Sequence, residues 1–356
     1  MERGLFPTTV VGSMPRPQYV RDLIESQVEG GGTSGDFRRM MDSAIPYVAQ
    51  IQELAGIDII SDGEWRRKSY IGVIADICRG FDLSIKEVLG QRQTWHVVTS
   101  KIEVANPGLL AREARFLKLH TGRDVKVAIP SPYLLGERMW DPELSRAAYP
   151  ARRDFTEALV PVLRHELEAV RDEGVAIAQF DDPHLCLFVD PKVRADYDDP
   201  QAEMAYCVDL LNRVVEGVDG VRLAIHLCRR NKGRAGWVGE GGYEPILPAL
   251  AGLKVDILML EFAIPAAGDF AVLRDLPERF DIGLGCVDCR SSHIDTPDEI
   301  AGRVRQAAQY VAPERILLHP DCGFAPGSAA DIPLDEAYLK LRNESLAAEM
   351  LREEFR

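Results

Sequence analysis

Residues 175–183 read VAIAQFDDP, an almost unbroken apolar run that ends in two aspartates and a proline. Strands with one face in water alternate apolar and polar residues, whereas an unbroken apolar run is typical of a parallel strand that is covered on both faces. Seven more runs of this kind occur, at residues 9–12, 57–63, 125–132, 221–228, 255–262, 280–288 and 315–323. The sequence therefore predicts eight parallel strands.

Segments with helical periodicity lie between these runs. Apolar side chains recur three or four positions apart within residues 36–55, 152–172, 201–218, 296–311 and 334–352, as they do along one face of an amphipathic helix. Strand and helix alternating along the chain predict an α/β protein of the (β/α)8 TIM-barrel type. A doubly wound open sheet is the alternative, but no Gly-x-Gly-x-x-Gly motif follows the first run.

The stretch between the second and third predicted strands is too long for one strand–helix unit. We predict a hairpin strand at residues 94–104 and a helix at residues 107–120, which together form a hairpin–helix elaboration of the barrel. No further repeat, low-complexity tract or linker divides the chain, so residues 1–356 are expected to form a single domain.

Composition and charge narrow the classes of function. The chain has 356 residues, 46% of them hydrophobic, and a formal net charge of -14. A surface this acidic repels nucleic-acid backbones and anionic membranes, so neither is an expected partner. No apolar run reaches the roughly 18 residues of a membrane span, and the seven cysteines show no disulfide spacing. We therefore expect a cytoplasmic protein with reduced thiols, and the sequence leaves a homo-oligomer open.

Residues that can bind a metal ion occur where the predicted strands end. In a barrel these C-terminal ends carry the active site. His226 and Cys228 lie two positions apart on one strand, so both side chains point to the same face. Glu261 ends the next strand, and Cys322 ends the last one. One nitrogen, two sulfur donors and one oxygen suit tetrahedral Zn²⁺.

Each of these residues also has a purely structural interpretation. A His-x-Cys pair on a buried strand belongs more often to the core than to a metal site, Glu261 could be half of an ion pair, and Cys322 could fit a tight turn. Their coincidence at one edge of the predicted barrel favours the metal site. Cys286 and Cys289 lie three apart in an extended segment and face opposite sides, so we predict a structural role for this pair.

Several of the strand ends match a known family. The chain resembles the catalytic C-terminal barrel of cobalamin-independent methionine synthase, and more closely the short single-barrel members of that group. The resemblance rests on segments that run nearly from end to end of the chain. They are residues 6–13 (FPTTVVGS), 62–64 (DGE), 179–183 (QFDDP), 225–228 (IHLC), 260–261 (LE) and 319–323 (HPDCG).

The resemblance implies a zinc site and an amino-acid substrate, homocysteine. The backbone and hydroxyl at Gly12 and Ser13 suit its carboxylate, and the acids Glu64 and Asp181 suit its α-ammonium group. Asp182 is a neighbour that the sequence does not separate from Asp181. The implied zinc ligands are His226, Cys228, Glu261 and Cys322.

Departures from the family pattern concern the methyl donor and proton handling. Members that use folate carry a tryptophan just after strand three, where this chain has Tyr133 as a stand-in that would contact the substrate. A histidine that the family has after strand seven aligns with Arg290, which we group with Glu261 and Asp181 as catalytic. Residues 229–234 (RRNKGR) are either a solvated loop or a clamp for an anionic group, with Arg229 as a substrate-binding residue.

We therefore expect a zinc-dependent transfer of a methyl group to the thiol of homocysteine, which yields methionine. The donor would be a methyl-folate or a methyl-corrinoid. One alternative is zinc-dependent alkyl transfer to or from another small thiol, such as coenzyme M, with an epoxide or a non-folate methyl donor. Another is a catalytically silent module that binds a methyl carrier. Retention of both Glu64 and Asp181 favours an amino-acid thiol.

Overall fold

A computed structural model describes residues 4–30, 35–88, 91–325 and 332–356. Nine strands lie in these ranges. They are β1 (Ile59–Ile60), β2 (Cys78–Val88), β3 (Gln91–Val104), β4 (Asp124–Pro130), β5 (Ile177–Asp181), β6 (Arg222–Leu227), β7 (Ile257–Glu261), β8 (Asp281–Val287) and β9 (Ile316–Pro320). Seven of them form one curved parallel sheet in the order β1-β4-β5-β6-β7-β8-β9, which agrees with the parallel strands that the apolar runs predict.

Helices connect and surround these strands. The helices in the described ranges are α1 (Gln18–Gly30), α2 (Gly35–Leu54), α3 (Val73–Ile77), α4 (Leu109–Lys118), α5 (Pro132–Met139), α6 (Arg152–Asp172), α7 (Pro183–Leu187), α8 (Pro191–Ala195), α9 (Pro200–Val215), α10 (Leu247–Gly252), α11 (Pro297–Ala307) and α12 (Leu334–Glu354). Short 3-10 turns lie at Tyr70–Gly72, Gly233–Ala235, Glu244–Ile246, Pro265–Ala267, Phe270–Asp275 and Pro313–Arg315.

The first apolar run joins the two edges of the sheet. Thr8 pairs with Leu318 of β9 and Thr9 pairs with Ile59 of β1, both in parallel orientation. The run predicted to be strand one is therefore present as two bridging residues rather than as a full strand. The extended stretch is short because the backbone turns left-handed at Phe6 and again at Gly12, with φ of 50° and 58°.

A separate hairpin follows the first strand of the sheet. β2 and β3 pair antiparallel, from Cys78 opposite Val104 to Val88 opposite Gln91, with a register shift near Gly80. α4 then leads back to β4. The sequence pattern predicts no partner for the strand at residues 94–104, because β2 alternates charged and apolar residues and lacks an unbroken apolar run.

Three consecutive helices between β5 and β6 begin with the same signal, an aspartate followed by proline. The side chains of Asp182, Asp190 and Asp199 accept backbone N–H bonds two or three residues on, and proline begins α7, α8 and α9. Proline suits this position because its missing N–H would have no partner there. These signals set where the three helices between β5 and β6 begin.

Two apolar layers enclose the sheet. The inner one contains Val11, Ile59, Ile177, Ala224, Ile257, Met259 and Leu317, and a larger layer lies between the strands and the helices. All seven cysteines are free thiols, and Cys322 is the least buried of them. In the described ranges, no helix has both the length and the apolar character needed to cross a membrane.

Candidate active site

A cavity of about 430 Å³ opens at the carboxyl ends of the strands. The predicted site residues that line it are Gly12, Ser13, Glu64, Asp181, His226, Cys228 and Cys322. The predicted site residues that do not line it are Tyr133, Asp182, Arg229, Glu261 and Arg290. A larger and more open cleft, about 850 Å³, lies at the amino ends of the strands around residues 215–223 and contains none of the predicted site residues.

His226, Cys228 and Cys322 bring their donor atoms together in the cavity. One imidazole nitrogen and the two sulfur atoms all lie within 4.8 Å of one another. His226 is part of β6, and Cys228 is the first residue after this strand. Because the two residues are two positions apart, the pleat directs both side chains to the same face. Cys322 reaches the group from the loop after β9. We call these three residues the donor cluster.

The donor cluster has the chemistry of a zinc site. Neither ring nitrogen of the buried His226 makes a hydrogen bond of normal geometry with the described residues. Burial, and then the charge of His319, lower the pKa of His226 well below its ordinary value, so the ring is neutral and able to bind a cation. The hydrogen bond with Cys228, and then burial, raise the pKa of Cys322 well above its ordinary value. A neutral imidazole and two adjacent thiols fit Zn²⁺, because a divalent cation is what would keep both sulfurs as thiolates.

Glu261, the fourth predicted ligand, lies outside the donor cluster. It ends β7 and is fully buried. Its Oε2 accepts a 2.8 Å hydrogen bond from the backbone N–H of Arg229 and lies 3.4 Å from the Arg229 guanidinium, while its Oε1 accepts from Arg290. The carboxylate is held between two arginines, so the structure brings together three of the four predicted ligands.

Arg229 turns away from the cavity. Its side chain is completely buried and donates to the carbonyl of Gly241 at 2.7 Å and to the hydroxyl of Tyr243 at 3.0 Å. Because side chains alternate along an extended chain, the residue next to Cys228 faces the opposite side. The predicted contact between Arg229 and substrate does not match this position, since its guanidinium contacts Glu261 and Tyr243 behind the cavity wall.

Arg290 joins Glu261 to another buried acid, Asp321. Its guanidinium donates to both carboxylates, at 3.4 Å in the case of Asp321 Oδ2. Asp321 Oδ1 accepts backbone N–H bonds from Phe262 at 2.9 Å and Ala263 at 3.0 Å. Burial, and then the charge of Glu261, raise the pKa of Asp321 to about 8. This role of Asp321 was not predicted from the sequence, although its position at a strand end was an available signal.

Asp181, in the cavity wall, connects through Gln179 to a buried lysine that was not predicted from the sequence. Gln179 donates a 2.6 Å hydrogen bond to Asp181, and Lys126 donates to Gln179 at 2.6 Å and to the carbonyl of Val10. Burial lowers the pKa of Lys126 to about 7. Burial, and then the charge of Glu64, raise the pKa of Asp181 to about 7. The available signal was a single charge inside the apolar run at residues 125–132.

Glu64 reaches the cavity from a left-handed turn. Gly63 and Glu64 have φ of 63° and 56°, a conformation that is strained for a residue with a Cβ. Arg16 holds the turn with a 2.7 Å hydrogen bond to the carbonyl of Glu64. Burial raises the pKa of the Glu64 carboxyl. A strained residue with a buried carboxyl in a cavity is a candidate binding residue.

Asp182 and Tyr133 occupy structural positions. Asp182 is fully buried, accepts hydrogen bonds from the Ser131 hydroxyl at 2.6 Å and the Leu185 N–H at 2.9 Å, and caps α7. Tyr133 is 1% exposed, and the guanidinium of Arg152 lies 5.3 Å from the centre of its ring. Neither side chain offers a surface to a ligand in the cavity, so of the two neighbouring aspartates only the first belongs to the cavity wall.

Comparison with known proteins gives the family and the fold. The family model described as "Cobalamin-independent synthase, Catalytic domain" matches residues 6–349. A methionine synthase of Thermococcus kodakarensis is 28% identical over 368 residues, which cover 99% of this chain and 96% of that protein. A methionine synthase of Sulfurisphaera tokodaii is 26% identical over 363 residues, which cover 100% of this chain and 95% of that protein.

A solved structure has the same fold. It is a B12-independent methionine synthase from Shewanella sp. W3-18-1 in complex with selenomethionine, with a TM-score of 0.80 and 23% sequence identity, and the match covers 99% of both chains. At this sequence identity the structural similarity is evidence for the fold alone. The assignment to a family rests on the match of the family model over residues 6–349. Since that match spans most of the chain, this chain belongs to the cobalamin-independent synthase family and contains its catalytic domain.

Proposed function

We propose that the chain is a zinc-dependent methyltransferase that transfers a methyl group to the thiol of homocysteine and forms methionine. One observation carries the proposal: the donor cluster shares a cavity with the carboxylates of Glu64 and Asp181. A thiol amino acid needs a soft site for its sulfur and acids for its ammonium group. The relatives named methionine synthase support the same acceptor.

Glu64 and Asp181 would bind the α-ammonium group of homocysteine. Burial raises the pKa of both carboxyls, and a cation that pairs with them in this low-dielectric site gains more than it would in water. Lys126, acting through Gln179, fixes the orientation of Asp181. The backbone at Gly12 and Ser13, on the same cavity wall, would receive the substrate carboxylate.

The donor cluster of His226, Cys228 and Cys322 would hold Zn²⁺. Bound there, the ion would lower the pKa of the substrate thiol and so supply a thiolate, the nucleophilic form. Glu261 as a fourth ligand remains a prediction, and its carboxylate would first have to leave Arg229 or Arg290. We assign Arg290 a positioning role, because it fixes Glu261 and Asp321 and does not line the cavity.

A methyl-folate or a methyl-corrinoid is the proposed donor. Tyr133, predicted to replace the family's tryptophan, lies in the core. Among the described residues, the phenol ring on the cavity wall belongs to Tyr70. A flat donor would therefore stack on Tyr70 rather than on Tyr133.

Calorimetry of homocysteine on the zinc-loaded protein tests this function. Titrations in two buffers with different ionisation enthalpies count the protons that binding releases. We expect homocysteine to release about one proton more than methionine does, because its thiol becomes a thiolate on binding. Methionine has no thiol proton and serves as the control that binds without this release. Failure of homocysteine to bind, or binding that releases no more protons than methionine does, would contradict the proposal.

Three further statements belong to the same proposal. We propose that residues 1–356 form a single domain, and that the seven-stranded sheet and the bridges of Thr8 and Thr9 represent a closed (β/α)8 barrel.

We propose the cytoplasm as the compartment, because seven free cysteines suit a reducing environment. A homo-oligomer is compatible with all of these points.

A further inference from the structure

Two arginines on the cavity wall have no partner among the residues that the structure describes. Arg138 lies in α5 and Arg230 lies in the loop after β6, and both side chains are partly buried. No described residue forms an ion pair with, or accepts a side-chain hydrogen bond from, either guanidinium. Partial burial without partners is unfavourable for a group that carries a charge and five N–H donors.

Four other arginines close to the site have acidic partners. Arg67 pairs with Glu113 at 3.0 Å, Arg234 pairs with Glu336, and the two arginines behind the cavity wall pair with Glu261. Carboxylates are in excess in a chain with a net charge of -14. Two guanidinium groups in one cavity that lack a partner in the described ranges therefore indicate that a ligand supplies the missing negative charge.

The two cations lie on the same cavity wall and both act on His184. After burial, both arginines lower the pKa of the neighbouring His184. Arg230 also has a φ of 57°, in the left-handed region that residues with a Cβ rarely adopt. A strained residue and repelling charges of one sign are typical of a binding site that an anion completes.

We propose that Arg138 and Arg230 bind an anionic group of the methyl donor, either a carboxylate or a phosphate. This inference rests on the proposed function, in which Gly12 and Ser13 receive the carboxylate of the acceptor and leave the arginine pair to the second substrate. Guanidinium groups bind both kinds of anion through paired N–H donors. Lys232 adds a positive charge to the same wall.

Steady-state kinetics of Arg138→Gln, Arg230→Gln and the double variant test the assignment. We expect the KM for the donor to rise at least about tenfold in the double variant, while kcat at saturating donor and the calorimetric Kd of homocysteine stay within about twofold. Arg146→Gln is the matched control, because it removes a charge from an exposed position outside the cavity wall.

Two donors distinguish the source of the anion. A rise in KM confined to 5-methyltetrahydrofolate assigns the arginines to a carboxylate, and a rise confined to methylcobalamin assigns them to a phosphate. An unchanged KM for both donors in the double variant, or a loss that falls on homocysteine instead, would overturn the inference.

Direct binding separates this inference from the proposed function. Calorimetry with p-aminobenzoylglutamate, which carries carboxylates, and with inorganic phosphate requires no turnover. We expect one of the two probes to bind the zinc-loaded protein and to bind the double variant at least about tenfold more weakly. If the protein binds homocysteine but neither probe, the inference fails and the proposed function stands. If a probe binds in this arginine-dependent way but homocysteine does not, the anion site stands and the proposed function fails.

Discussion

Cys322 is the donor that joins two distant parts of the chain at the candidate metal site. His226 lies in β6 and Cys228 directly follows that strand, whereas Cys322 follows β9 and is only partly buried. We expect Cys322→Ser to lose most of its zinc, from roughly one ion per chain, because a serine hydroxyl is a much poorer ligand than a thiolate at neutral pH. Metal analysis after dialysis against a weak chelator measures the loss, and far-UV circular dichroism should remain that of the parent protein.

Cys78→Ala is the matched control for this substitution. Cys78 is buried in β2 and does not belong to the donor cluster, so its variant should retain zinc at the parent level. Full zinc retention by Cys322→Ser under the same dialysis would remove Cys322 from the ligand set.

How much of the site the sequence predicts differs from residue to residue. Alternation along a strand correctly pairs His226 with Cys228, and the same rule places Arg229 on the other side. The same rule puts Asp181 and Asp182 on opposite sides but does not say which of them faces the cavity. That depends on the register between neighbouring strands, which is known only from the folded sheet, where Asp181 is opposite His226. Lys126 was missed because a lysine in an apolar run has no chemical signal until its partners on other strands are known.

At the scale of elements, β4 and β5 cooperate through the lysine between them. Lys126 of β4 fixes Gln179 of β5, which in turn holds Asp181 at the cavity. We expect Lys126→Met to weaken methionine binding at pH 7 about tenfold, because removal of the nearby positive charge raises the pKa of Asp181 further and leaves its carboxylate unsupported. Calorimetry with methionine avoids the thiol proton and measures this change directly.

The matched control for Lys126→Met lies on a different element. Lys192 is exposed in α8, and Lys192→Met removes the same charge without touching the sheet, so its methionine affinity should equal that of the parent. Thermal unfolding of both variants shows whether the fold is intact. Unchanged methionine affinity in a folded Lys126→Met protein would mean that Asp181 does not depend on the lysine.

Elements differ in how well the sequence predicts them. The sheet strands after the first run follow from unbroken apolar stretches, because burial on both faces leaves this pattern in the sequence. The first run fails as a full strand, since the left-handed turns at Phe6 and Gly12 depend on packing rather than on residue pattern. β2 was not predicted, because a strand of a hairpin outside the sheet keeps polar residues on the face that is not covered.

At the scale of the whole molecule, α12 covers the region where the two edges of the sheet meet. α12 packs against α2, α11, β8 and β9, and Arg352 near its end donates to the carbonyls of Leu5 and Phe6. Glu344, in the middle of this helix, is fully buried. Neither of its carboxyl oxygens makes a hydrogen bond of normal geometry with the described residues. Burial, and then the charge of Asp58, raise its pKa well above the ordinary value.

This buried acid predicts how the stability of the whole protein depends on pH. An acid whose pKa is raised on folding binds its proton in the folded chain at pH values where the unfolded chain has already lost it, so its contribution to the free energy of unfolding falls as pH rises from about 4. Glu344→Gln keeps the shape and removes the ionisation. We expect the variant to be more stable than the parent at pH 8 by on the order of 1 to 3 kcal/mol, and the difference to shrink towards pH 5. Urea unfolding at both pH values measures this difference in stability. Glu353→Gln, at an exposed position on the same helix, is the control. If the difference between Glu344→Gln and the parent is the same at pH 5 and pH 8, burial does not keep Glu344 protonated.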